Sequence, residues 1–432
     1  MWSKGRIRSY SILAGGPERS AVAANDAGMG DASLARSLAF QQRDEGTVVH
    51  PTEDGNYTAE FARQWGGPEA PRFHAQAIKL WSAEHGSAQR GRRALVTGGT
   101  GGLGFFAAKI LAAVGMVVIL PSRPNLEHEA HSAAAAIRAA IPNARVEVPE
   151  VPLDLRSFES VRRFGAALRG GPGALDVLCL NAGRGGSSHD KLERTADGHE
   201  VIMQVNLLGH VLLVHELLPM LRRSSYARIV AHTGMARSNA REGMADDLSG
   251  SSYMSTPFQQ YAISKAALCL YVRGLNEQLG ALGLHGAAVL ADPGLAATGI
   301  NFQHDIVRTL GLSRHGLADT RAYHDAYAAH AADASLPLAM AALVGEVGEV
   351  WVGESSSPRG TSLDAAAHRL GHLLWPPPRR TDPILWADEA VAKLWKKLAE
   401  LVDKEGSKEG STDAGAATSD TATGTARSKA EL

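Results

Sequence analysis

Short apolar runs alternate with longer amphipathic stretches through the middle of this chain. The runs are rich in Val, Ile, Leu and Ala, and they lie at 94–97, 116–120, 146–153, 175–180, 228–233 and 286–291. The stretches with helical periodicity lie at 128–141, 157–168, 197–221 and 257–282. Continuous apolar strands separated by helices are typical of a parallel sheet that is covered on both faces. The pattern therefore predicts an α/β fold built on a doubly wound parallel sheet.

The segments on either side of this pattern differ from it in composition. In the N-terminal one, Trp65, Phe73 and Trp81 predict a short helix that packs on the domain. In the C-terminal one, 387–402 predicts an amphipathic helix, and the final 30 positions hold one Leu and no aromatic residue, which predicts disorder. We therefore divide the chain into four parts. An N-terminal extension (1–90) precedes a single Rossmann-type domain (91–355), and a C-terminal extension (356–402) and a disordered tail (403–432) follow it.

Charge and cysteine content exclude several functional classes. The 432 residues carry 44 Lys and Arg against 45 Asp and Glu, a formal net charge of -1, so no general basic field is present to bind nucleic acid. The two cysteines, Cys179 and Cys269, cannot form the framework of a disulfide scaffold. Because no Cys/His spacing or H-E-x-x-H motif is present, we expect no metal site.

The chain shows no segment that we interpret as a membrane span. The longest apolar stretch, Leu207–Leu221, carries His210 and Glu216, and a span needs about 20 mostly apolar residues. We expect an intracellular, soluble protein, either cytoplasmic or organellar. The organellar alternative stays open because the first 17 residues carry Lys4 and two arginines but no acid, a composition typical of transit peptides.

A glycine-rich turn follows the first predicted strand and precedes a helix. Glycines in this place let the backbone approach a pyrophosphate, and the helix then presents free N–H groups and the positive end of its dipole. The turn therefore predicts a dinucleotide site. Its candidate cofactor-binding residues are Thr97, Gly98, Gly102, Leu103 and Gly104.

The end of the second strand indicates which dinucleotide is bound. An acid that binds the ribose hydroxyls is expected there when the cofactor is NAD(H). Here the strand ends in Ser122 and Arg123, with no acid. An arginine can pair with a 2′-phosphate, and Ser122 can assist it, so this position favours NADP(H).

Several motifs in order resemble those of the short-chain dehydrogenase/reductase family. Thr97 to Gly104 reads T-G-x-x-x-G-x-G, and Asn181-Ala182-Gly183 reads N-A-G. Pro293 to Thr298, with Gly294 second, reads P-G-x-x-x-T. The resemblance covers about 92–355, and Asp197 to Glu200 is similar to the retinol-dehydrogenase-like branch.

This resemblance assigns roles to the matching residues. It implies that Asp154, followed by Leu155, contacts the adenine and that Asn181, Ala182 and Gly183 lie under the cofactor. It also implies that Thr298, after Pro293 and Gly294, holds the nicotinamide carboxamide.

Tyr261 and Lys265 form a Tyr-x-x-x-Lys pair, the candidate catalytic centre. Residues i and i+4 of a helix share one face, so both side chains point to one place. A free tyrosine has a pKa of about 10, and a neighbouring ammonium lowers it, which makes Tyr261 a candidate acid/base. The resemblance further implies that Lys265 binds the nicotinamide ribose and that Asn206 anchors a water that links Lys265 to solvent.

The serine that the family uses beside this tyrosine is missing. Its aligned position is Gly234, which has no hydroxyl to bind the substrate oxygen. Thr233 is our candidate for the replacement, and Ser238 and Ser249 are rivals in the stretch before Tyr261. Either one of these hydroxyls takes the place of the serine, or the enzyme lacks this hydroxyl and its catalysis is weaker.

These features predict an enzyme rather than a binding protein. We expect NADP(H)-dependent interconversion of a carbonyl and an alcohol, with a hydrophobic substrate lying against 299–344, whose Leu, Ile and Met content suggests an apolar pocket. The alternative is an NADP(H)-binding regulatory or scaffold protein with impaired catalysis. The resemblance also implies a homo-oligomer formed through 197–221 and 257–282.

Overall fold

The computed structural model describes residues 65–171, 173–240, 256–347, 350–352 and 388–406. Within them, seven strands form one parallel sheet in the order β3-β2-β1-β4-β5-β6-β7. The predicted transit segment, Ser249 and all of the predicted tail beyond Gly406 lie outside the described residues. The strands are β1 Arg93–Val96, β2 Val117–Ile119, β3 Arg145–Glu147, β4 Val177–Leu180, β5 Ala227–His232, β6 Gly286–Asp292 and β7 Val350–Val352.

The doubly wound, Rossmann-type parallel sheet predicted from the sequence is confirmed. Strand β3 is shorter than the predicted run 146–153, because Pro149 and Pro152 have no N–H to donate to a neighbouring strand. Strand β7 joins the sheet beside β6, although its three residues are too few for the apolar pattern to indicate them.

Helices cover both faces of the sheet. Helices α4, α5 and α6 pack together as one layer, and α1, α2, α10 and α11 pack together as another. The predicted N-terminal helix is α1, which buries Trp81. The helices are α1 His74–Gln89, α2 Gly102–Ala113, α3 Glu127–Ala140, α4 Phe158–Arg169, α5 Val201–Leu221, α6 Pro257–Gln278, α7 Gly299–Gln303, α8 Ile306–Thr309, α9 Thr320–Tyr327, α10 Ala331–Ala334, α11 Leu336–Val344 and α12 Asp388–Gly406.

Helix α5 is the apolar core helix of this fold. Among the described residues it alone is long and apolar enough to cross a membrane by length and composition, yet 89% of its apolar window is buried inside the fold. It packs between α4 and α6, so its apolar side chains already have protein partners. That Leu207–Leu221 does not span a membrane stays a prediction. The burial of its apolar side chains inside the fold supports that prediction.

Helix α12 packs against α6 and α5 through one apolar face. Trp395 stacks on Tyr271 with ring centroids 5.6 Å apart and an interplanar angle of 16°. A Cβ at Gly274 would lie 2.8 Å from the Trp395 ring, so a glycine is needed for this close approach. The helix runs past the predicted end at 402, as far as Gly406, which removes those residues from the predicted tail. Helix α12 covers part of α5 and α6, the helices through which the predicted homo-oligomer would form. The homo-oligomer stays a prediction.

We expect Trp395→Ala to lower the free energy of unfolding by about 3 kcal/mol, because the change opens a cavity between α12 and α6. Urea denaturation followed by circular dichroism measures it. Lys396→Ala is the matched control, since Lys396 is exposed on the same helix and its loss should cost under about 0.5 kcal/mol. Equal stability of the two variants would mean that the packing of Trp395 on α6 does not contribute to the free energy of unfolding.

Candidate active site

The glycine turn and the Asn181 segment are locked together by hydrogen bonds. The Thr97 hydroxyl accepts the backbone N–H groups of Asn181, at 2.9 Å, and Ala182, at 3.0 Å. The Asn181 amide nitrogen donates to the carbonyls of Thr97, at 2.8 Å, and Gly98, at 3.3 Å. The ends of β1 and β4 are therefore fixed side by side, at the carboxyl edge where doubly wound sheets bind ligands.

The glycines leave a cradle that larger residues would fill. A Cβ at Gly104 would lie 2.3 Å from the Gly98 carbonyl oxygen, so only glycine fits at this point. Gly98 and Gly102 have positive φ angles of 63° and 50°, which glycine adopts without strain. A Cβ at Gly102 meets no atom within 4 Å, so the N-terminus of α2 faces open space. Leu103 follows in the first turn of α2.

Ser122 and Arg123 follow β2 after Leu120 and Pro121. The Ser122 hydroxyl is buried, and it has no hydrogen-bond partner in the described part of the chain. The Arg123 side chain is half exposed and lies 3.6 Å from the buried carboxylate of Glu129 on α3. This acid next to the arginine is a neighbour that the sequence did not indicate.

Asp154 and Leu155 occupy different environments. Arg156 binds the Asp154 carboxylate with its backbone N–H, at 2.9 Å, and with its guanidinium, whose terminal nitrogen is 3.0 Å away. Leu155 is buried in the hydrophobic core. An adenine contact at Asp154 stays a prediction, and such a contact would share the carboxylate with Arg156.

The predicted catalytic pair lies on α6, close to its start. Thr256 caps this helix by a reciprocal capping box with Gln259, and Pro257 occupies its first turn. Tyr261 and Lys265 are both buried, and the Lys265 ammonium lies 5.6 Å from the centroid of the Tyr261 ring. The tyrosine and the lysine thus share one face of α6, as their spacing predicts.

The electrostatic effect on Tyr261 differs from the expectation. Burial, together with the Asp292 carboxylate, raises the pKa of the Tyr261 phenol. Burial lowers the pKa of Lys265 to about 8. The Lys265 ammonium donates to the His232 carbonyl at 2.8 Å, and desolvation by burial is the larger cause of the raised pKa of the phenol. Tyr261 is therefore protonated at neutral pH in this structure.

The position of the missing serine lies beside the tyrosine hydroxyl. A Cβ built on Gly234 would have one neighbour within 4 Å, the Tyr261 hydroxyl oxygen at 3.6 Å. In this structure the Thr233 hydroxyl donates to the Lys265 carbonyl at 3.2 Å. This bond argues against Thr233 as the replacement for the serine, and its role stays a prediction. Ser238 lies in the 3-10 turn Met235–Asn239.

Asn206 lies in a π-helical turn of α5 and supports the loop after Gly183. Its side-chain oxygen accepts the Arg184 N–H at 2.7 Å, and its nitrogen donates to the Arg184 carbonyl at 3.1 Å and to the Ser264 hydroxyl at 2.9 Å. These bonds join the loop to the tyrosine helix. The proposed link through water to Lys265 stays a prediction.

The segment after β6 is held by the N-terminal extension. Gly294, which follows Pro293, has a φ of 70°, and its N–H donates to the Asp292 carboxylate at 3.0 Å. Thr298 immediately precedes α7. A Cβ at Gly299 would lie 2.7 Å from the Trp65 ring, so the Trp65 side chain packs directly under this segment. Sequence reasoning gave Trp65 a packing role but did not locate its partner.

Two buried histidines border the site, and the sequence did not identify either as functional. His232 donates from Nδ1 to the Asn181 side-chain oxygen at 2.8 Å, which connects the end of β5 to the segment after β4. His304 packs against Tyr261 with ring centroids 4.2 Å apart. Its position just beyond Thr298 was the available signal, but the segment holds several histidines with no periodicity to separate them.

Known proteins share the sequence pattern of this domain. A sequence model of the family described as short chain dehydrogenase matches residues 92–304. Polyprenol dehydrogenase of Mus musculus is 36% identical over 49% of this chain and 61% of that protein, and retinol dehydrogenase 12 of Bos taurus is 35% identical over 46% and 60%. Short-chain dehydrogenase/reductase prx1 of Penicillium rubens is 31% identical over 58% and 70%. The chain thus spans about three fifths of the length of the first two relatives.

Proposed function

Because this chain belongs to the short-chain dehydrogenase/reductase family, in its retinol-dehydrogenase-like branch, we propose that it is an NADP(H)-dependent oxidoreductase that interconverts a carbonyl and an alcohol. The observation that carries the proposal is the grouping at the carboxyl edge of the sheet. Buried Tyr261 and Lys265 lie together there, and the hydroxyl of Tyr261 faces the vacant Cβ position of Gly234.

The glycine turn fits a dinucleotide. Gly104 and Gly98 allow the close backbone approach that a pyrophosphate requires, and the open space at Gly102 lies at the start of α2. Bound NADPH supplies a hydride for the carbonyl carbon, and bound NADP⁺ accepts one from the alcohol. Asn181, Ala182 and Gly183 would lie beneath the cofactor, and Thr298 would meet its carboxamide.

In the proposed reaction Tyr261 donates its proton to the substrate oxygen. Its raised pKa keeps the phenol protonated, and this is the form that carbonyl reduction needs. Lys265 holds a positive charge on the same helix face, which stabilises the phenolate that remains. Asn206 keeps the neighbouring loop in place through Arg184. The phenol is therefore in the form that gives a proton to a carbonyl oxygen.

Arg123 is the proposed determinant of NADP(H) over NAD(H). Its half-exposed guanidinium and the unpartnered hydroxyl of Ser122 support this proposal, since a residue after β2 is expected to bind the ribose end of the cofactor. We expect Arg123→Ala to weaken NADPH binding about 10- to 100-fold, since it removes a charge-assisted hydrogen bond, and to change NADH binding less than about twofold. Fluorescence titration of both cofactors measures this. Arg90→Ala, an exposed arginine before β1, is the control, and equal losses for both cofactors would contradict the assignment.

The proposed substrate is a hydrophobic aldehyde, ketone or alcohol. Tyr261 belongs to a small apolar cluster with Val201 and Ile202, against which Ile300 packs. Two of the three relatives named above carry the names of polyprenol and retinol, both long apolar alcohols. Apolar surroundings of this kind should favour long alkyl chains over short ones.

The test is turnover by the full chain. We expect NADPH oxidation with decanal at a higher kcat/KM than with hexanal, and slower reduction of NADP⁺ with decanol. Consumption of NADPH is followed by absorbance, and the alcohol product by chromatography. No turnover of either aldehyde, with tight NADPH binding, would overturn the enzymatic proposal.

The second candidate is an NADP(H)-binding regulatory protein. Gly234 and the turned-away hydroxyl of Thr233 favour it, because they remove the usual hydroxyl next to Tyr261. It predicts NADPH binding without turnover, so the same experiment separates the two.

A further inference from the structure

Arg237 and Asp292 form a buried ion pair between the ends of two neighbouring strands. A terminal nitrogen of the Arg237 guanidinium donates to one oxygen of the Asp292 carboxylate. Arg237 is 9% exposed and Asp292 is 1% exposed. Asp292 is the last residue of β6, and Arg237 lies in the 3-10 turn Met235–Asn239 that follows β5. The pair therefore joins the loops after β5 and β6 at the carboxyl edge of the sheet.

One end of this link borders the hydroxyl of the proposed acid. The Arg237 backbone N–H donates to the Gly234 carbonyl at 3.1 Å, which closes the turn. The Cβ position of Gly234 lies 3.6 Å from the Tyr261 hydroxyl oxygen. Burial is the larger cause of the raised pKa of the Tyr261 phenol, and the charge of Asp292 is the next. The pair thus anchors the turn that begins beside the tyrosine.

The other end of the link fixes the turn that leads to Thr298. The second oxygen of Asp292 accepts the Gly294 N–H at 3.0 Å. Gly294 has a φ of 70°, a left-handed conformation of the kind that tight turns use. Thr298 follows four residues later, and it is the residue proposed to meet the nicotinamide carboxamide. One carboxylate therefore holds both the turn beside Tyr261 and the start of the proposed nicotinamide segment.

Stability alone does not account for a pair of this kind. Taking two charges out of water costs about as much free energy as their attraction returns, and apolar residues of similar volume are often equally stable in the same place. A charge-assisted hydrogen bond is, however, short and directional, so it fixes the separation of the groups that it joins. The effect of the pair is therefore expected in the geometry of the two loops.

Resting on the proposed NADP(H)-dependent chemistry, we infer that Arg237 and Asp292 are positioning residues that set the nicotinamide segment against the Tyr261 hydroxyl. They hold the loops after β5 and β6 at a fixed separation, so that one bound carbonyl meets the hydride at its carbon and the phenol at its oxygen. Neither residue touches the substrate or transfers a proton in this role.

The decisive variant removes both charges at once, Arg237→Met with Asp292→Asn. A single change would leave one buried charge unpaired, which is strongly destabilising, whereas the double change leaves none and should keep the melting temperature within about 5 °C. We expect kcat with decanal to fall about 30- to 100-fold, because a misplacement of about 1 Å is enough for such a loss.

Cofactor binding separates positioning from a general loss of structure. The double variant should bind NADP⁺ about tenfold more weakly, as expected for one misplaced hydrogen bond at the nicotinamide. The fragment 2′-phospho-ADP-ribose lacks the nicotinamide, so its dissociation constant should stay within about twofold of the wild-type value. Fluorescence titration measures both. Arg237→Lys keeps a charged donor for Asp292, and its kcat should fall only about threefold.

Arg169→Met with Glu216→Gln is the matched control. This ion pair joins α4 to α5, and Arg169 is the last residue of α4, at the end of the helix that leads into β4 and not at the carboxyl edge. Its removal should change kcat and NADP⁺ binding by less than about twofold, whatever it does to the melting temperature. An equal loss of kcat in this control would refute the positioning role.

The remaining outcomes distinguish the inference from the proposed function. If the Arg237 and Asp292 double variant lost affinity for NADP⁺ and for the fragment to the same extent, or kept the wild-type kcat, the inference alone would be wrong. If the wild type bound neither NADP⁺ nor the fragment, or turned over no aldehyde, the proposed function would fail and the inference with it.

Discussion

Tyr261→Phe is expected to lower kcat with decanal by about 10³-fold or more, while the NADPH dissociation constant stays within about twofold. The change removes one oxygen, the atom that lies 3.6 Å from the vacant Cβ position of Gly234. It leaves the ring, and with it the packing against His304, unchanged. The reason for the large effect is that Tyr261 is the proposed proton donor to the substrate oxygen.

Tyr271→Phe is the matched control for this prediction. Tyr271 lies on the same helix, is buried, and has a hydroxyl with no hydrogen-bond partner in the described residues. Its removal should leave kcat unchanged and should not lower the melting temperature, because an unsatisfied buried hydroxyl is lost. Comparable losses in the two variants would show that the effect comes from packing on α6 and would remove Tyr261 from the chemistry.

Gly104→Ala is expected to weaken NADPH binding by about 100-fold or more and to lower the melting temperature. The added Cβ would lie 2.3 Å from the Gly98 carbonyl oxygen and 2.4 Å from the Asn181 amide nitrogen. Because the nearest obstacle is backbone, no rotamer change can relieve the clash, and the turn must shift away from its present path. The shift displaces the bonds that Asn181 makes to Thr97 and Gly98.

Gly280→Ala provides the comparison. A Cβ at Gly280 meets nothing within 4 Å, so the same chemical change there should affect neither NADPH binding nor stability by a measurable amount. Fluorescence titration and thermal unfolding are the two readouts. If Gly104→Ala bound NADPH as tightly as the wild type, the glycine turn would not be the cofactor cradle.

Elements whose information is local could be predicted from the sequence. The strands and helices of the sheet follow from hydrophobic period, and the cap of α4 at Ser157 follows from residue type; the structure has both, with Ser157 accepting the Ser160 N–H. The pairing of Tyr261 with Lys265 follows from a spacing of four on one helix. Gly234 was also recognised as a missing hydroxyl, since a glycine cannot supply one.

Features that depend on distant segments could not be predicted. The direction of the Thr233 hydroxyl is set by the Lys265 carbonyl on α6 and not by its neighbours on β5. The pKa of Tyr261 depends on burial and on Asp292, so the expectation from Lys265 alone had the wrong sign. Trp65 packs against the segment after Thr298 and its carbonyl bonds to His324, a contact between positions more than two hundred residues apart.

The sequence by itself determined the doubly wound sheet, the glycine turn and the tyrosine–lysine pair, because backbone period, glycine conformation and helical spacing act over a few residues. Only the tertiary structure decided which polar groups meet at Tyr261. It bound the Thr233 hydroxyl to the Lys265 carbonyl, packed His304 from beyond β6 against the Tyr261 ring, and placed α12 over α6. The physical reason is that desolvation and hydrogen-bond geometry depend on what packs nearby, and packing brings together residues that no local pattern connects.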